Sequence, residues 1–441
     1  MVPSGNLTAV GSIADPNDLF ALCEQLYPIC RSITGPGVRE TLAVIADHID
    51  LSVFEVPSGT PVFDWTVPLE WTLREAWVED PHGNRIIDVA DHNLHVVSYS
   101  TPVDLTLSRE ALEAHLHSLP EQPEAIPYRT SYYAETWGFC LPHQLRARLP
   151  DGNYRVHIDA TLAPGSMTYG ECFIPGTSGK EILVSTHICH PSLANDNLSG
   201  ISVATYLAKH FAGSGKLRHG LRFVFVPGTI GAITWLAQNQ ELIPNIMGGL
   251  VLSGIGDSGP LTYKRSRRGD GLVDRLFESQ LANVSGASIR PFIPYGYDER
   301  QYCSPGIDIA AGCLMRTPYG EYAEYHSSGD NLALISGASL AESADVCARV
   351  LRDAQHIDRY RNLQPRCEPQ LGRRGLYDNV GGENQSKDAQ LALLWMLSYS
   401  DGDHSTLDIH DLSGIDLAVL NQAAERLMDA DLLALEPLGA V

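Results

Sequence analysis

The most informative segment of the chain is Ser185-Thr-His-Ile-Cys-His-Pro-Ser-Leu-Ala-Asn-Asp-Asn-Leu-Ser-Gly200, which directly follows the apolar run Ile182-Leu183-Val184. The apolar run predicts a buried β-strand that ends near His187 and His190. Asp196 then falls in a polar turn before a predicted helix. Open α/β sheets bind ligands where loops leave the carboxyl ends of their strands, and imidazole together with carboxylate suits a divalent metal. The stretch therefore predicts a metal site on an α/β sheet.

The composition limits the class of protein. With 441 residues the chain is too long for one ordinary hydrophobic core, so we expect two or three domains, and 44% apolar residues exclude disorder. Its 31 basic and 53 acidic residues give a formal charge of −22, which disfavours nucleic acid and anionic membranes as partners. No apolar stretch approaches the ~20 residues of a membrane span. Nine cysteines without a Cys-x-x-Cys pair, and an N-terminus without signal-peptide features, predict reduced thiols and a cytoplasmic location.

Hydrophobic periodicity predicts three units along the chain. Residues 1–52 and 125–365 are expected to form one discontinuous α/β domain, because apolar runs alternate with helical stretches in the β-α-β rhythm of a mainly parallel sheet. A helical pair is predicted at its start, between residues 15 and 49. Residues 53–124 contain short β-rich pieces separated by turn residues and predict an inserted β domain. Within it, residues 105–119 are expected to be helical.

Residues 366–441 predict a third unit, which resembles a winged helix with three helices and a short apolar strand. From Lys387 to Val441 there are ten acidic residues and only two basic ones, Lys387 and Arg426. DNA binding needs several Lys or Arg residues to neutralise phosphates, so this composition argues against it. We expect instead a packing or dimerisation module, through which the chain could form a homo-oligomer.

Two later segments add candidate metal ligands. Asp257 opens a Gly-rich loop after an apolar run, and His326 lies between carboxylates in Glu321-Tyr-Ala-Glu-Tyr-His-Ser-Ser-Gly-Asp330. With His187 and Asp196 they form a candidate zinc set, either one ion with an open coordination position or two ions bridged by Asp196. Each residue also has a structural interpretation. His187 could be a hydrogen-bonded histidine at a strand end, and Asp196 could be the N-cap of the following helix. Asp257 could be a turn former, and His326 a surface histidine. Their common position at or beyond strand ends favours the metal site.

Other residues are candidates for substrate binding. Asp298, Arg300 and Tyr319 lie in Gly/Pro/Tyr-rich loops of the kind that line pockets. A carboxylate there could hold a free amino group of a substrate, and Arg300 could pair a carboxylate. A structural ion pair between Asp298 and Arg300 would explain the same residues equally well. His190 could orient Asp196 or the substrate rather than bind metal.

Several segments resemble a known family. Thr186-His187 and Asn195-Asp196-Asn197-Leu-Ser-Gly200 resemble the signature of the co-catalytic zinc aminopeptidases, the superfamily of bacterial leucyl aminopeptidases and glutamate carboxypeptidases. More specifically, nearly the whole chain is similar to a bacterial family of aminopeptidase-like proteins with an inserted β domain and a C-terminal winged helix. Matching segments include Arg31-Ser-Ile-Thr-Gly-Pro-Gly, Asn93-Leu-His-Val-Val-Ser-Tyr-Ser, Asp298-Glu-Arg-Gln-Tyr-Cys-Ser-Pro-Gly and Arg316-Thr-Pro-Tyr-Gly-Glu.

The resemblance implies a zinc-exopeptidase-like α/β/α sandwich with a mixed, mainly parallel sheet. It implies one or two zinc ions held by His187, Asp196 and His326, with Asp257 as a weaker candidate ligand. The implied reaction is hydrolysis of an amide or peptide bond in a short peptide or an amino-acid-derived small molecule. The substrate itself is not implied.

One position departs from the family. Its pattern after the next apolar strand is Pro-Glu-Thr-Ile-Gly, whereas this chain has Pro227-Gly228-Thr229-Ile230-Gly231. A Glu pair in the wider superfamily supplies a general base and a metal ligand here, and neither Gly228 nor Thr229 can replace it. Loss of a general base typically lowers a rate by about 10²–10⁴-fold. Three explanations remain open: Glu321 or Glu324 is the base, the reaction is a different metal-assisted one, or the chain is a catalytically silent binding or scaffold protein or an inactivated form.

Overall fold

The computed structural model describes residues 12–282, 284–376 and 387–436. These residues contain twelve α-helices: α1 (Pro16–Leu26), α2 (Pro36–Ala46), α3 (Arg109–Glu113), α4 (His143–Arg146), α5 (Gly200–Ala212), α6 (Ile230–Gln238), α7 (Leu272–Leu281), α8 (Glu299–Tyr302), α9 (Gly337–Ala354), α10 (Lys387–Tyr399), α11 (Thr406–Ser413) and α12 (Leu417–Asp429). Within the same ranges no helix has the length and apolar character that crossing a membrane requires. The predicted N-terminal helical pair is confirmed as α1 and α2.

The same part of the chain contains nineteen strands: β1 (Ser52–Pro57), β2 (Pro61–Val62), β3 (Trp65–Thr66), β4 (Glu70–Glu79), β5 (Arg85–Asp88), β6 (Val103–Ser108), β7 (Leu116–His117), β8 (Phe139–Cys140), β9 (Asn153–Ala163), β10 (Ser166–Ile174), β11 (Glu181–His187), β12 (Gly220–Val226), β13 (Ile246–Leu252), β14 (Thr262–Lys264), β15 (Ser288–Arg290), β16 (Ala311–Met315), β17 (Arg359–Asn362), β18 (Asp401–Ser405) and β19 (Leu433–Glu436).

An eight-stranded sheet in the order β1-β10-β12-β11-β13-β16-β14-β15 forms the centre of the fold. Its middle strands β12, β11, β13 and β16 are parallel, and antiparallel pairings lie on either side of them. All residues of β11 and β12 are buried. Strands covered on both faces have nearly continuous apolar sequences, which is why these two were recognisable as apolar runs.

Two hydrophobic cores lie on opposite faces of this sheet. One core contains Ile182 and Val184 of β11 together with side chains of α1, α2, α5, α7 and α9. The other contains Leu183 of the same strand, side chains of α6 and α8, and residues of the inserted β region. Alternate side chains of a strand point to opposite faces, so β11 contributes to both cores. The predicted α/β/α sandwich is confirmed.

The inserted β region is built around an antiparallel sheet in the order β5-β4-β9-β6. Its strand β9 pairs with β4 on one side and β6 on the other, although it lies beyond the predicted domain boundary at residue 124. Conversely, β1 pairs with β10 in the large sheet, although most of it follows the predicted boundary at residue 52. Strand pairing between remote segments therefore determines where each sheet ends. These limits differ from the points at which the sequence composition changes.

The predicted helix over residues 105–119 is wrong. The segment contains most of β6, the short helix α3 and β7. β6 is paired along its whole length with β9, from Val103 opposite Ile158 to Ser108 opposite Asn153. The helix begins only after Ser108, whose hydroxyl accepts a hydrogen bond from the backbone NH of Ala111.

The C-terminal unit has the expected winged-helix elements: α10, α11, α12 and a sheet in the order β18-β17-β19. Its strand β17 precedes the predicted start at residue 366. Residues 377–386 and 437–441 of the predicted unit, and residues 1–11 of the predicted first domain, lie outside the described residues. Asp408 and Asp411 of α11 form salt bridges with Arg275 of α7, so part of the acidic charge of this unit faces the α/β core.

The sheet core makes a stability prediction. Phe223 on β12 is fully buried, so Phe223→Ala should lower the free energy of unfolding by about 3–5 kcal/mol through lost burial and the cavity left behind. Phe54 on the edge strand β1 is 41% exposed, and Phe54→Ala should cost about 1 kcal/mol or less. Urea unfolding of both variants measures the difference. Equal shifts of the midpoint would contradict this placement of the core.

Candidate metal centre

His187 is the last residue of β11, at the carboxyl edge of the parallel strands. Its side chain is fully buried, and its Nε2 lies 2.8 Å from Oδ1 of Asp196. The chain reaches Asp196 through a helical turn (Ala194–Ser199) that is interrupted at Asp196, where φ is −109° and ψ is 78°. This interruption separates the turn from α5 and places the carboxylate beside the end of β11.

His326 approaches the same carboxylate from the loop between β16 and α9. Its Nε2 lies 2.9 Å from Oδ2 of Asp196, so each oxygen of Asp196 contacts a different histidine. The backbone of His326 is left-handed, with φ of 56°, a conformation that costs a non-glycine residue about 1–3 kcal/mol and is concentrated at functional sites.

A segment within the inserted β region, between β7 and β8, holds the His326 loop in this conformation. The backbone NH of Tyr128 donates to the carbonyl of His326, and the NH of Ile126 donates to the hydroxyl of Ser328. The amide of Gln122 donates to the carbonyl of Ala323. The histidine therefore depends on contacts from a distant part of the chain.

His190 lies in the loop after β11 and completes the cluster. Possible ligand atoms of His187, His190 and Asp196 all lie within 4.8 Å of one another, so these residues could hold a metal ion. The Nε2 of His190 is also 2.8 Å from the hydroxyl of Tyr297. The aromatic ring of Tyr297 stacks on His187 with 3.7 Å between the ring centres.

Charge and burial shape the pKa values here. Burial alone would raise the pKa of Asp196, but the adjacent His190 and the hydrogen bonds from His187 and His326 hold that pKa well below its usual range. Burial lowers the pKa of His190 well below its ordinary value, against the attraction of Asp196. Both shifts favour the forms that bind metals, namely an ionised carboxylate and a neutral imidazole.

Tyr297 occupies the space beside Gly228. A Cβ atom at position 228 would lie 2.8 Å from Cε1 of Tyr297 and 3.2 Å from Cβ of His187. Real Cβ atoms essentially never come within 3.0 Å of another heavy atom, so a side chain here would displace Tyr297. The glycine and the tyrosine are therefore sterically linked.

Asp257 lies near the cluster but has a full set of hydrogen bonds. Its two oxygens accept from the side chain of Asn195, the backbone NH of Gly259, and both the NH and the hydroxyl of Thr317. It does not belong to the group of possible metal ligands found among the described residues. The contacts favour a role in fixing the loops.

The two candidate bases lie outside the lining of the cavity beside the histidines. Glu321 is exposed and forms a salt bridge with Arg290, and the backbone carbonyl of Glu324 accepts a hydrogen bond from the Ser327 hydroxyl. Neither glutamate lines the cavity beside the cluster.

That cavity has a volume of about 310 Å³ and is rich in tyrosine. His190, Gly228, Arg300 and His326 contribute to its walls. So do six tyrosines, namely Tyr128, Tyr132, Tyr295, Tyr297, Tyr319 and Tyr325. Of the predicted substrate-binding residues, His190, Arg300 and Tyr319 therefore come together.

Asp298 is placed differently. Its carboxyl group is fully buried, and neither oxygen has a hydrogen-bond partner among the described residues. Burial raises its pKa well above the ordinary value. Arg300 is exposed and forms no salt bridge with any described residue, so the alternative of a structural Asp298–Arg300 ion pair is not observed.

Sequence reasoning missed two residues of the site. Asp330 is buried and accepts hydrogen bonds from the backbone NH groups of Asn195 and Asp196, which fixes the turn that carries Asp196. Burial raises the pKa of Asp330 to about 7. The sequence feature that could have identified Asp330 is its position four residues after His326, in the same loop. Tyr297 adjoins the family-like Asp298-Glu-Arg segment, but no spacing rule connects it to His187.

Comparisons with known proteins agree with this architecture. A family model described as a domain of unknown function, DUF4910, matches residues 20–356, and a winged helix-turn-helix model matches residues 358–435. A Clostridium acetobutylicum protein provisionally named a polysaccharide biosynthesis protein with an aminopeptidase-like domain is 44% identical, over 95% of this chain and 96% of that protein.

Solved structures support the same fold. A crystal structure from Clostridium acetobutylicum, provisionally named a peptidase, has a TM-score of 0.85 and 43% identity, over 95% of this chain and 96% of that chain. A zinc aminopeptidase from Bacillus subtilis has a TM-score of 0.57 and 13% identity, over 77% of this chain and 95% of that chain. The predicted resemblance to zinc aminopeptidases with a C-terminal winged helix is confirmed at the level of the fold.

The contact between Gly228 and Tyr297 can be tested by a double-mutant cycle. Gly228→Ala should lower the free energy of unfolding by about 1–3 kcal/mol, because the new methyl group overlaps the tyrosine ring. In a Tyr297→Ala background the same change should cost clearly less.

Gly213→Ala is the matched control for that cycle, because a Cβ atom at position 213 would lie 3.6 Å from the carbonyl oxygen of His210, an ordinary van der Waals contact. Thermal unfolding of the four proteins and the control measures the effect. An equal cost of Gly228→Ala in both backgrounds would show that Tyr297 does not fill this space.

Proposed function

The chain belongs to the DUF4910 family, and from this membership and the geometry of the site we propose that it is a zinc-dependent hydrolase. Its substrate would contain an amide or peptide bond, in a short peptide or in a small molecule such as an amino-acid derivative. The observation that carries the proposal is the buried carboxylate of Asp196 between His187 and His326, beside an open cavity.

The donor set fits zinc. Imidazole nitrogens and a carboxylate oxygen are its usual ligands, and a catalytic ion has three protein ligands and one open position. His187, His190 and Asp196 have possible ligand atoms within 4.8 Å of one another and would hold the ion. His326, the third ligand that the resemblance implies, contacts the second oxygen of Asp196. One ion is favoured over two, because the oxygens of Asp257 are already hydrogen-bonded and position 228 has no carboxylate.

The roles of the protein groups follow from their positions. A bound zinc ion supplies Lewis acidity, which polarises a carbonyl group and makes water more acidic. The hydrogen-bonded pair of His190 and Tyr297 offers polar atoms at the cavity wall, where they can orient the group to be cleaved. Asp330 holds the backbone of Asp196 and acts as a positioning residue.

A second candidate function is binding without turnover. Gly228 stands where the aminopeptidase-like pattern that this chain resembles has a glutamate, and Tyr297 fills the space beside it. The carboxylates of Glu321 and Glu324 do not line the cavity. These observations favour a catalytically silent binding or scaffold protein as the alternative.

The relative from Clostridium acetobutylicum suggests a process for this activity. Its provisional name refers to polysaccharide biosynthesis, and we extend that process to this chain as part of the proposal. The cytoplasm is the proposed location, supported by nine free cysteines. Self-association through the C-terminal unit, and the lack of a nucleic-acid partner, remain predictions from composition.

Metal binding gives the first test. Purified protein titrated with zinc should bind one ion per chain, measured by calorimetry and by mass spectrometry of the metal. Loss of a residue that only orients a metal ligand typically weakens metal binding by about 10–100-fold. Asp196 is proposed as a ligand itself, so Asp196→Asn should weaken zinc binding by more than about 100-fold. Asp274→Asn is the matched control, because Asp274 is also buried and hydrogen-bonded but contacts Tyr263, Ser266 and Gly271 instead. Unchanged zinc binding in Asp196→Asn would overturn the metal centre.

Turnover separates the two candidate functions. The zinc-loaded protein is assayed on aminoacyl amides, dipeptides and N-acyl compounds, with release of the amine as the readout. Hydrolysis that is lost in Asp196→Asn and kept in Asp274→Asn supports the enzyme. Stoichiometric zinc with no hydrolysis of any of these compounds supports the silent alternative.

A further inference from the structure

The cavity beside the histidines has walls dominated by one kind of side chain. Six of its lining residues are tyrosines. A tyrosine offers an apolar ring face and a hydroxyl group that both donates and accepts hydrogen bonds. A ligand that presents apolar C–H faces and several hydroxyl groups at once is complementary to such walls.

Two of these hydroxyls are free to meet a ligand. No described group forms a hydrogen bond with the hydroxyl of Tyr295 or of Tyr325, whereas those of Tyr128 and Tyr132 bind each other. Tyr295 is 68% exposed at the cavity mouth. The ring of Tyr325 is stacked on His326, 4.0 Å between centres, which keeps it at the metal centre.

The charged side chains that line the cavity disfavour a free amino group, because the carboxylate of Asp196 beside it is already paired with His187 and His326. Among the described residues no Asp or Glu lines it, and Glu321 pairs with Arg290 outside it. Tyrosine rings alone could attract an ammonium ion through cation–π contacts. However, the guanidinium of Arg300, which forms no salt bridge with a described residue, lies in the same lining and would repel that ion. The same guanidinium suits a phosphate or carboxylate.

We infer that the substrate is an N-acylated amino sugar that carries a phosphate, with its sugar ring against the tyrosines and its phosphate near Arg300. This inference rests on the proposed function and names its substrate class. A volume of about 310 Å³ is at the lower end of small-molecule pockets and fits one sugar ring with a short acyl group.

The reaction would be a deacylation. Water adds its oxygen to the acyl carbon and the C–N bond breaks. The products are a carboxylic acid and a free amino sugar, and no oxidant or second substrate is required. A reaction that uses free amino-sugar phosphates would consume the product.

Binding can be measured independently of turnover. The full-length protein is titrated with N-acetylglucosamine 1-phosphate, N-acetylglucosamine and leucinamide, with and without one equivalent of zinc. We expect the affinity to decrease in that order. Tighter binding of leucinamide than of the sugar phosphate would overturn the inference. A protein that binds the sugar phosphate but neither binds zinc nor hydrolyses amides would refute the proposed function alone.

Variants locate the binding. Arg300→Gln should lower the affinity for the sugar phosphate by about tenfold or more and leave the affinity for the unphosphorylated sugar unchanged. Tyr295→Ala should lower the affinity for both sugars by about fivefold to tenfold, because the aromatic face that contacts the sugar ring is lost. Tyr133→Ala is the matched control, because Tyr133 is 55% exposed and lies outside the cavity. Equal affinities in Tyr295→Ala and Tyr133→Ala would contradict the assigned position of the sugar.

Discussion

The buried carboxylate of Asp196 is the interaction on which the rest of the site depends. An ionised group that is only 2% exposed needs compensation for its lost hydration. His187 and His326 supply it through the two oxygens, and Asp330 fixes the backbone behind it. Three separate segments of the chain therefore contact one carboxylate: the end of β11, the turn of Asp196 and the loop that carries His326 and Asp330.

The parts that the sequence predicted are those encoded locally. β11 and β12 are continuous apolar runs because both faces of the sheet are covered, and α12 buries Leu420, Ala423, Ala424 and Leu427 at helical spacing. His187, Asp196 and His326 stood out because they follow such runs or match a family signature. The extent of the inserted sheet could not be predicted, since β6 acquires its structure by pairing with the remote β9. Tyr297 was missed for a similar reason, because only the tertiary fold stacks it on His187.

The centre combines a charged cluster with an aromatic wall. His187 and His326 contact the two oxygens of Asp196, and Gly228 adjoins His187 without a side chain of its own. Beside Gly228 the ring of Tyr297 stacks on His187, and its hydroxyl contacts His190. At this point the cavity wall is therefore an uncharged aromatic ring with a hydroxyl group, and this is the surface that a ligand meets.

The hydrogen bonds between the segment at residues 122–128 and the His326 loop limit how the protein can be divided. The inserted β region resembles an accessory module because it has its own sheet. Yet a segment within it, between β7 and β8, supports the backbone of His326. Excision of the insert would therefore remove the support of the His326 loop together with the accessory sheet. Insert and core should be inherited as a unit, and relatives that lack the insert would need another means of holding this histidine.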